Sequence, residues 1–167
     1  LIFNGANSFP NFIHFWNANN GIAIGDASGG YYEIYTTNNG GTTWTRTPSI
    51  NIPAPQASEY GIVDKFSVYG NTIWFPTVFG RVFKSTDAGL NWTASAVVAP
   101  NARDIDFINA SNGFFTDTNG ALYKTTNGGT SWTKISEWVG TTGQYVHADQ
   151  QIITWRSNNQ VLFGCDG

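Results

Sequence analysis

One short polar motif occurs three times in this chain of 167 residues, and each copy ends on a tryptophan. The copies end at Trp44, Trp92 and Trp132, so they lie 48 and 40 residues apart. All three fit the pattern Ser/Thr-x-Asp/Asn-x-Gly-x-Ser/Thr/Asn-Trp. A period of this size is typical of repeat architectures, so the motif constrains the fold of the whole chain. The motif residues are Thr37, Asn39, Gly41, Thr43 and Trp44 in the first copy, Ser85, Asp87, Gly89, Asn91 and Trp92 in the second, and Thr125, Asn127, Gly129, Ser131 and Trp132 in the third.

The sequence around each copy repeats together with the motif. In the third copy, segments 103–108, 113–117 and 120–125 lead up to the motif, and a further segment opens on Trp132. These segments alternate or carry β-branched and aromatic residues, which favours strands, while the Gly and Asn between them favour turns. Four antiparallel strands in a unit of about 40 to 50 residues are typical of a propeller blade. The sequence therefore predicts an all-β fold, a β-propeller with four-stranded antiparallel blades.

The repeat also predicts how the domain is divided. We expect one propeller domain over 1–167, with blades at about 9–48, 60–97 and 101–137 and a partial blade at 145–167. Propellers close with about four to eight blades, because closure protects the sheet edges. Since the chain lacks Met and stops inside a unit, we expect it to be part of a larger propeller. The alternative is a small four-bladed ring in which the end strands pair with each other.

Each residue type in the motif has a structural task. The Asn or Asp can accept hydrogen bonds from backbone amides further along the turn, and the hydroxyl residue before it can do the same. The Gly permits a positive φ, which a β-carbon would penalise. The Trp buries a large ring, which we expect between neighbouring blades, with its N–H donated to an acceptor. The motif therefore predicts a folding device that is repeated once in each blade.

The motif resembles the Asp-box, also called the bacterial neuraminidase repeat, over about residues 11–138. The resemblance extends to sortilin-like propellers and, through the unit GFFTDTNGALYKTTNGGTSW, to photosystem II assembly factors. It implies that the boxes lie on the periphery of the propeller, away from its central channel. Asn39 and Asn127 stand where the family has Asp, which keeps the acceptor oxygen but removes the charge. We therefore expect neither a metal nor a cofactor at these positions. The assembly factors usually carry an arginine patch, which this chain lacks.

Composition narrows the set of partners. Charged residues make up 11% of the chain and the formal net charge is −3, so no basic patch is available for nucleic acid. The apolar runs are too short to cross a bilayer, and we expect no membrane insertion. The abundance of Asn, Thr, Gly and aromatic residues resembles exported bacterial proteins, which implies a secreted or cell-surface location.

Two enzyme classes share this repeat. Sialidases need a cluster of three arginines, and the four arginines of this chain are not placed to form one. Xyloglucan-cleaving glycosidases need two carboxylates that face each other across the scissile bond. The carboxylate candidates near hub-facing strand entries are Asp64, Asp104, Asp106 and Asp149. A candidate ligand site at the hub face comprises Asp64, Asp104, His147 and Asp149, and the last two lie in YVHADQQ, which resembles an H-x-D-Q-H segment of sortilin-like propellers. Because no acid is evidently paired with a nucleophile, the sequence favours structural roles for these residues, with Asp104 on a solvated or channel-lining strand face.

The favoured function is therefore a non-catalytic binding or scaffolding module with a protein or glycan ligand. The alternative is a segment of a glycoside hydrolase of the xyloglucanase type, whose other catalytic residues lie outside this chain. A third hypothesis is a structural repeat that self-associates through open blade edges.

Overall fold

The computed structural model of the chain describes residues 2–137, 144–145, 150–156 and 160–165. Within these ranges the chain forms strands and one 3-10 turn at Ser49–Asn51, without an α-helix. Accordingly, none of the described segments is a helix with the length and apolarity needed to cross a membrane. The strands are β1 (Pro10–Phe15), β2 (Gly21–Ala27), β3 (Tyr32–Thr37), β4 (Thr45–Arg46), β5 (Ser67–Tyr69), β6 (Thr72–Pro76), β7 (Val82–Ser85), β8 (Thr93–Ala94), β9 (Ala102–Phe107), β10 (Gly113–Asp117), β11 (Leu122–Thr125), β12 (Thr133–Glu137), β13 (Gln144–Tyr145), β14 (Gln150–Arg156) and β15 (Gln160–Cys165).

Three sheets of four antiparallel strands follow one another along the chain. They are formed in sequence order by β1–β4, β5–β8 and β9–β12, and we call them blades 1, 2 and 3. The short strand β13 extends blade 3 by pairing in parallel with β12, and β14 and β15 form an antiparallel pair. The prediction of an all-β propeller with four-stranded antiparallel blades is confirmed. The sequence pattern gave no sign of β13.

The inner strand of each blade directs alternate side chains to opposite sides, as strand geometry requires. In β1, the ring of Phe12 faces blade 2 and stacks on Phe66, with 4.4 Å between the ring centroids. Its neighbour Ile13 faces the other way and is 57% exposed. Blade 1 therefore packs one face on blade 2 and leaves an apolar side chain, Ile13, exposed on its other face.

Aromatic rings fill the space between blades. Tyr32 of blade 1 meets Phe75 and Phe83 of blade 2 edge-on, at centroid distances of 5.5 and 4.9 Å. Trp74 of blade 2 stacks on Phe107 of blade 3 at 3.9 Å. Because large rings bury much apolar surface, these layers stabilise the stacking of one sheet on the next. A third cluster, formed by Phe114, Leu122 and Ile153, holds β14 against blade 3.

Candidate binding surface

The Asp-box turns connect the third and fourth strands of the blades. In the first box, the Thr37 hydroxyl accepts a hydrogen bond from Gly41 N at 3.0 Å and donates one to Asn39 Oδ1 at 3.0 Å. Asn39 Oδ1 also accepts from Thr43 N at 2.9 Å, and Asn39 Nδ2 donates to Thr43 Oγ1 at 2.8 Å. The same four bonds recur in the third box, among Thr125, Asn127, Gly129 and Ser131.

The second box uses a different pair of side chains at its tip. Asp87 Oδ1 accepts from Asn91 N at 2.9 Å, and Asp87 Oδ2 accepts from Asn91 Nδ2 at 2.7 Å. The donor and acceptor roles of the side-chain pair are thus reversed relative to the other boxes, because here the side chain of the residue before Trp supplies the amide N–H. The backbone bond to Oδ1 is the same in all three boxes. Burial opposes ionisation of Asp87, but the hydrogen bonds from Asn91, Ser85 and Leu90 outweigh it and lower the pKa of this carboxyl.

The second and third boxes also lock their blades to the blade before. A β-carbon on Gly89 of the second box would come within 2.4 Å of Ile22 Cδ1 in blade 1. In the third box, the Gly128 carbonyl accepts the indole N–H of Trp74 in blade 2 at 3.1 Å. The box tryptophans close their own turns, since Trp92 donates to Gly89 O at 2.9 Å and Trp132 donates to Gly129 O at 3.1 Å. These contacts give the boxes a structural part in blade packing.

A second recurring turn, which the sequence analysis missed, joins the first two strands of blades 1 and 3. Asn17 Oδ1 accepts from Asn20 N at 2.9 Å, and Asn109 Oδ1 accepts from Asn112 N at 2.8 Å. The signal was present in the sequence, because Asn-Ala-x-Asn-Gly occurs at 17–21 and 109–113. Backbone bonds tie these turns to the boxes: Gly40 N to Asn19 O, Ala88 N to Asn71 O in blade 2, and Gly128 N to Ser111 O. We call this end of the blades the box face.

The predicted hub-facing residues are only partly within the described chain. Asp104, which we expected on a solvated or channel-lining strand face, is buried. Its Oδ2 accepts the Ile153 N–H at 3.0 Å, and its Oδ1 lies 3.4 Å from Lys65 Nζ. Asp64 is exposed, has a φ of 58° and donates its backbone N–H to Asn11 O. The other two predicted residues, His147 and Asp149, lie outside the described residues.

Asp104 therefore has a structural place, since it joins blade 3 to β14 and to the inner region of blade 2. Within the described ranges, no group of three or more His, Cys, Asp or Glu side chains is arranged to hold a metal ion.

The end of the blades opposite the box face carries the β2–β3-type turns and the connections between blades, and we call it the loop face. Here a buried ion pair joins the connection before blade 2 to the turn within it. Arg81 Nη1 lies 2.8 Å from Glu59 Oε2, and Glu59 Oε1 accepts a hydrogen bond from the Thr77 hydroxyl at 2.6 Å. The Glu59 side chain has no exposed surface. These bonds fix the path of the connection that enters blade 2.

An apolar pocket of about 540 Å³ opens at the loop face between blades 1 and 2. Its floor contains two polar side chains, Asn11 and Asp26. Asp26 Oδ1 accepts from Asn11 Nδ2 at 2.8 Å and from the backbone N–H of Gly61 at 2.9 Å. A concave, mostly apolar pocket with a few fixed polar groups is the usual form of a binding site. Its apolar walls are Phe9, Tyr60, Ile62, Val63 and Val78.

Blades of four antiparallel strands, joined by Asp-box turns and stacked face to face, define the chain as an Asp-box β-propeller. The model of the family described as photosynthesis system II assembly factor YCF48 matches residues 5–144. The chain belongs to this family. A comparison with curated protein sequences gives no significant match.

Solved structures share the fold. The structure of YCF48 bound to a D1 peptide is 19% identical with a TM-score of 0.60, and the match covers 78% of this chain and 40% of that one. YCF48 from Cyanidioschyzon merolae is 21% identical with a TM-score of 0.55, covering 77% and 37%. The GH74 enzyme of Niastella koreensis is 17% identical with a TM-score of 0.51, covering 75% and 22%. This chain therefore spans well under half the length of each of these proteins, and at such identities the similarity concerns the fold.

Proposed function

We propose that this chain is a non-catalytic protein-binding module, which recognises an extended segment of a partner protein at its loop face. Membership of the YCF48 family supports the proposal, and so does the neighbour that is YCF48 bound to a D1 peptide. The observation that carries it is the pocket between blades 1 and 2, where apolar walls surround two polar side chains. The chain matches only part of the longer YCF48 structure, and we propose the same protein-binding role for the whole protein.

Three of the described carboxylates are held in bonds within the fold, which favours binding over catalysis. Glycoside hydrolysis needs one carboxyl group as acid and a second as base or nucleophile, both free to reach the sugar. Asp104 is bonded to Ile153 N and Lys65, and Glu59 is bonded to Arg81 and Thr77. Asp117 accepts the backbone N–H groups of its own turn. These three carboxylates hold the fold together, which leaves them poorly suited to act on a glycan.

Selection from a library of random peptides displayed on phage tests the proposal. The folded chain is immobilised, and a blank support and the urea-unfolded chain serve as controls. We expect one sequence motif to be enriched on the folded chain alone, and a synthetic peptide with that motif to bind saturably in calorimetry.

Hydrolysis of xyloglucan and of shorter β-glucan oligosaccharides is measured in parallel. A chain that enriches no peptide motif contradicts the proposal. Cleavage of these glycans by the chain would support the glycoside hydrolase alternative, which has the fold of the GH74 neighbour as its precedent.

A further inference from the structure

We propose that the pocket between blades 1 and 2 takes one large apolar side chain of an extended peptide, whose adjacent backbone N–H is donated to Asn11 Oδ1. The inference rests on the proposed function and deepens it, because it names the chemistry of the ligand. It assigns to Asn11 and Asp26 a binding role in addition to the bonds by which Asp26 ties β1 and the connection before blade 2 to β2.

A comparison of the three blades shows that the carboxylate of Asp26 is not part of the repeated backbone contacts. Asp26, Val78 and Thr118 occupy the same position in blades 1, 2 and 3, at or just beyond the end of the second strand. Each donates its backbone N–H to the connection before the blade, at 2.9, 3.1 and 2.8 Å, to the carbonyls of Phe9, Tyr60 and Asn101. The backbone link is therefore common to all three blades, whereas the carboxylate occurs only in blade 1. The backbone link therefore does not depend on the carboxylate of Asp26, which is free to serve the pocket as well as the bond from Gly61 N–H.

Asn11 holds an acceptor ready for a ligand. Its side chain is buried, and Asp26 fixes the orientation of the amide by accepting from Nδ2 at 2.8 Å. A β-carbon on Gly61 would come within 2.4 Å of the same nitrogen, so a larger residue there would displace the amide. The opposite atom, Oδ1, has no hydrogen-bond partner within the described part of the chain. A buried acceptor without a partner is costly. Because Oδ1 has almost no exposed surface, a ligand N–H reaches it only when the lining side chains shift, and the new hydrogen bond then removes this cost.

The apolar side chains that line the pocket favour an apolar group next to the N–H of the ligand. Phe9, Tyr60 and Val63 are 53%, 52% and 54% exposed, so an apolar group inserted among them removes exposed apolar surface from water. The volume of about 540 Å³ is ample for one aromatic or branched aliphatic side chain together with the neighbouring peptide group. An extended peptide offers this combination, because every residue except proline presents a side chain beside a backbone N–H.

The negative charge of Asp26 in the pocket lining adds a preference among peptide ligands. Asp26 forms no ion pair with any residue that the structure describes. Its carboxylate therefore disfavours an acidic residue in the pocket and favours N–H donors next to it.

The test uses a minimal ligand, N-acetyl-phenylalanine N-methylamide, which has one apolar side chain between two peptide N–H groups. It is titrated into the chain while two-dimensional amide NMR spectra are recorded. We expect saturable shifts at the backbone N–H of Gly61 and Val78 and at the side-chain amide of Asn11, with a Kd of about 1 mM. An analogue methylated on both amide nitrogens keeps the ring but cannot donate, and it should bind about tenfold more weakly.

Matched variants locate the site. Val63 and Val97 are equally exposed, at 54% and 50%, but only Val63 lines the pocket. Val63→Lys should weaken binding of the probe about tenfold, whereas Val97→Lys should leave it within about twofold. Tyr60→Ala and Tyr69→Ala form a second pair at 52% and 50% exposure, with the same expected contrast.

Three results would overturn the inference: no saturable shift at Gly61 and Asn11, equal effects of the paired variants, or equal binding of the methylated analogue. The outcome is distinguishable from that of the peptide selection. If the probe binds as expected but no peptide motif is enriched, the pocket chemistry stands and the proposed function fails. If a motif is enriched but the probe does not bind here, the peptide-binding function stands, whereas its assignment to this pocket fails.

Discussion

The exchange of partners at the tip of the second box yields a quantitative prediction. In Asp87→Asn, the new Nδ2 faces Asn91 Nδ2 across the 2.7 Å now occupied by a charge-assisted hydrogen bond. Two donors then oppose each other, and the bonds to Oδ1 lose the charge of their acceptor. Since a hydrogen bond to a charged group contributes about 1.5 to 3 kcal/mol and this tip is partly solvated, we expect a loss of about 1.5 kcal/mol in the free energy of unfolding.

The double variant is the informative one. Asp87→Asn with Asn91→Ser recreates the side-chain pair of the third box, where Asn127 Nδ2 donates to Ser131 Oγ at 2.8 Å. We therefore expect the double variant to be more stable than Asp87→Asn alone, with a coupling energy of about 1 kcal/mol. Asn127→Asp serves as the matched control, because the Ser131 hydroxyl can turn from acceptor to donor, and it should cost less than about 0.5 kcal/mol.

Urea unfolding followed by tryptophan fluorescence measures these differences, since the chain has seven tryptophans. The pH dependence provides a second readout. The pKa of Asp87 is lowered from its ordinary value of 3.8, so its stabilising effect is complete above pH 3.8 and is lost as the pH falls further. The difference between the wild-type chain and Asp87→Asn should therefore shrink in acid. If the two substitutions in the second box add to within about 0.3 kcal/mol at pH 7, the reasoning about the pair is refuted.

Three further changes test other contacts by the same unfolding measurement. Ala88→Gly should stabilise the chain by about 0.5 to 1 kcal/mol, because Ala88 has a φ of 58° where the other boxes have glycine, and a destabilised variant would contradict this. Glu59→Gln should cost about 3 kcal/mol, because it leaves the buried Arg81 guanidinium without its ion-pair partner, and a change below about 1 kcal/mol would show that the pair is not buried in solution. Trp74→Phe should cost about 2 kcal/mol through the unpaired Gly128 carbonyl and the smaller ring, whereas a neutral effect would separate the third box from blade 2.

The parts of the structure that the sequence could predict are those encoded locally and repeatedly. The residue types from Thr37 to Trp44 recur in three copies with the same spacing inside the motif, and strand alternation is visible within a few residues. The blades and their strand order therefore followed from the pattern. The turn at Asn17 was missed although it recurs at Asn109, because it repeats in two blades rather than three.

The pocket and the loop-face ion pair could not be predicted in this way. Asn11 and Asp26 meet when β1 pairs with β2, but Gly61 joins them only when the connection before blade 2 packs on blade 1. Likewise, the alternation in β9 shows that Asp104 lies on its less apolar side, but the bond that Asp104 accepts comes from Ile153 in β14, 49 residues later. Contacts of this kind are set by the packing of sheets, which a single strand pattern does not contain.

The most direct test of the central claim, that the second and third boxes lock their blades onto the preceding ones, is a nuclear Overhauser effect between two residues of different blades. The α-protons of Gly89 lie against the Ile22 δ1 methyl, since a β-carbon on Gly89 would approach Cδ1 to 2.4 Å. The stacked-blade structure predicts a strong cross-peak between these protons in the folded chain. A spectrum in which the Ile22 methyl shows cross-peaks only within its own sheet, and none to Gly89, would contradict it.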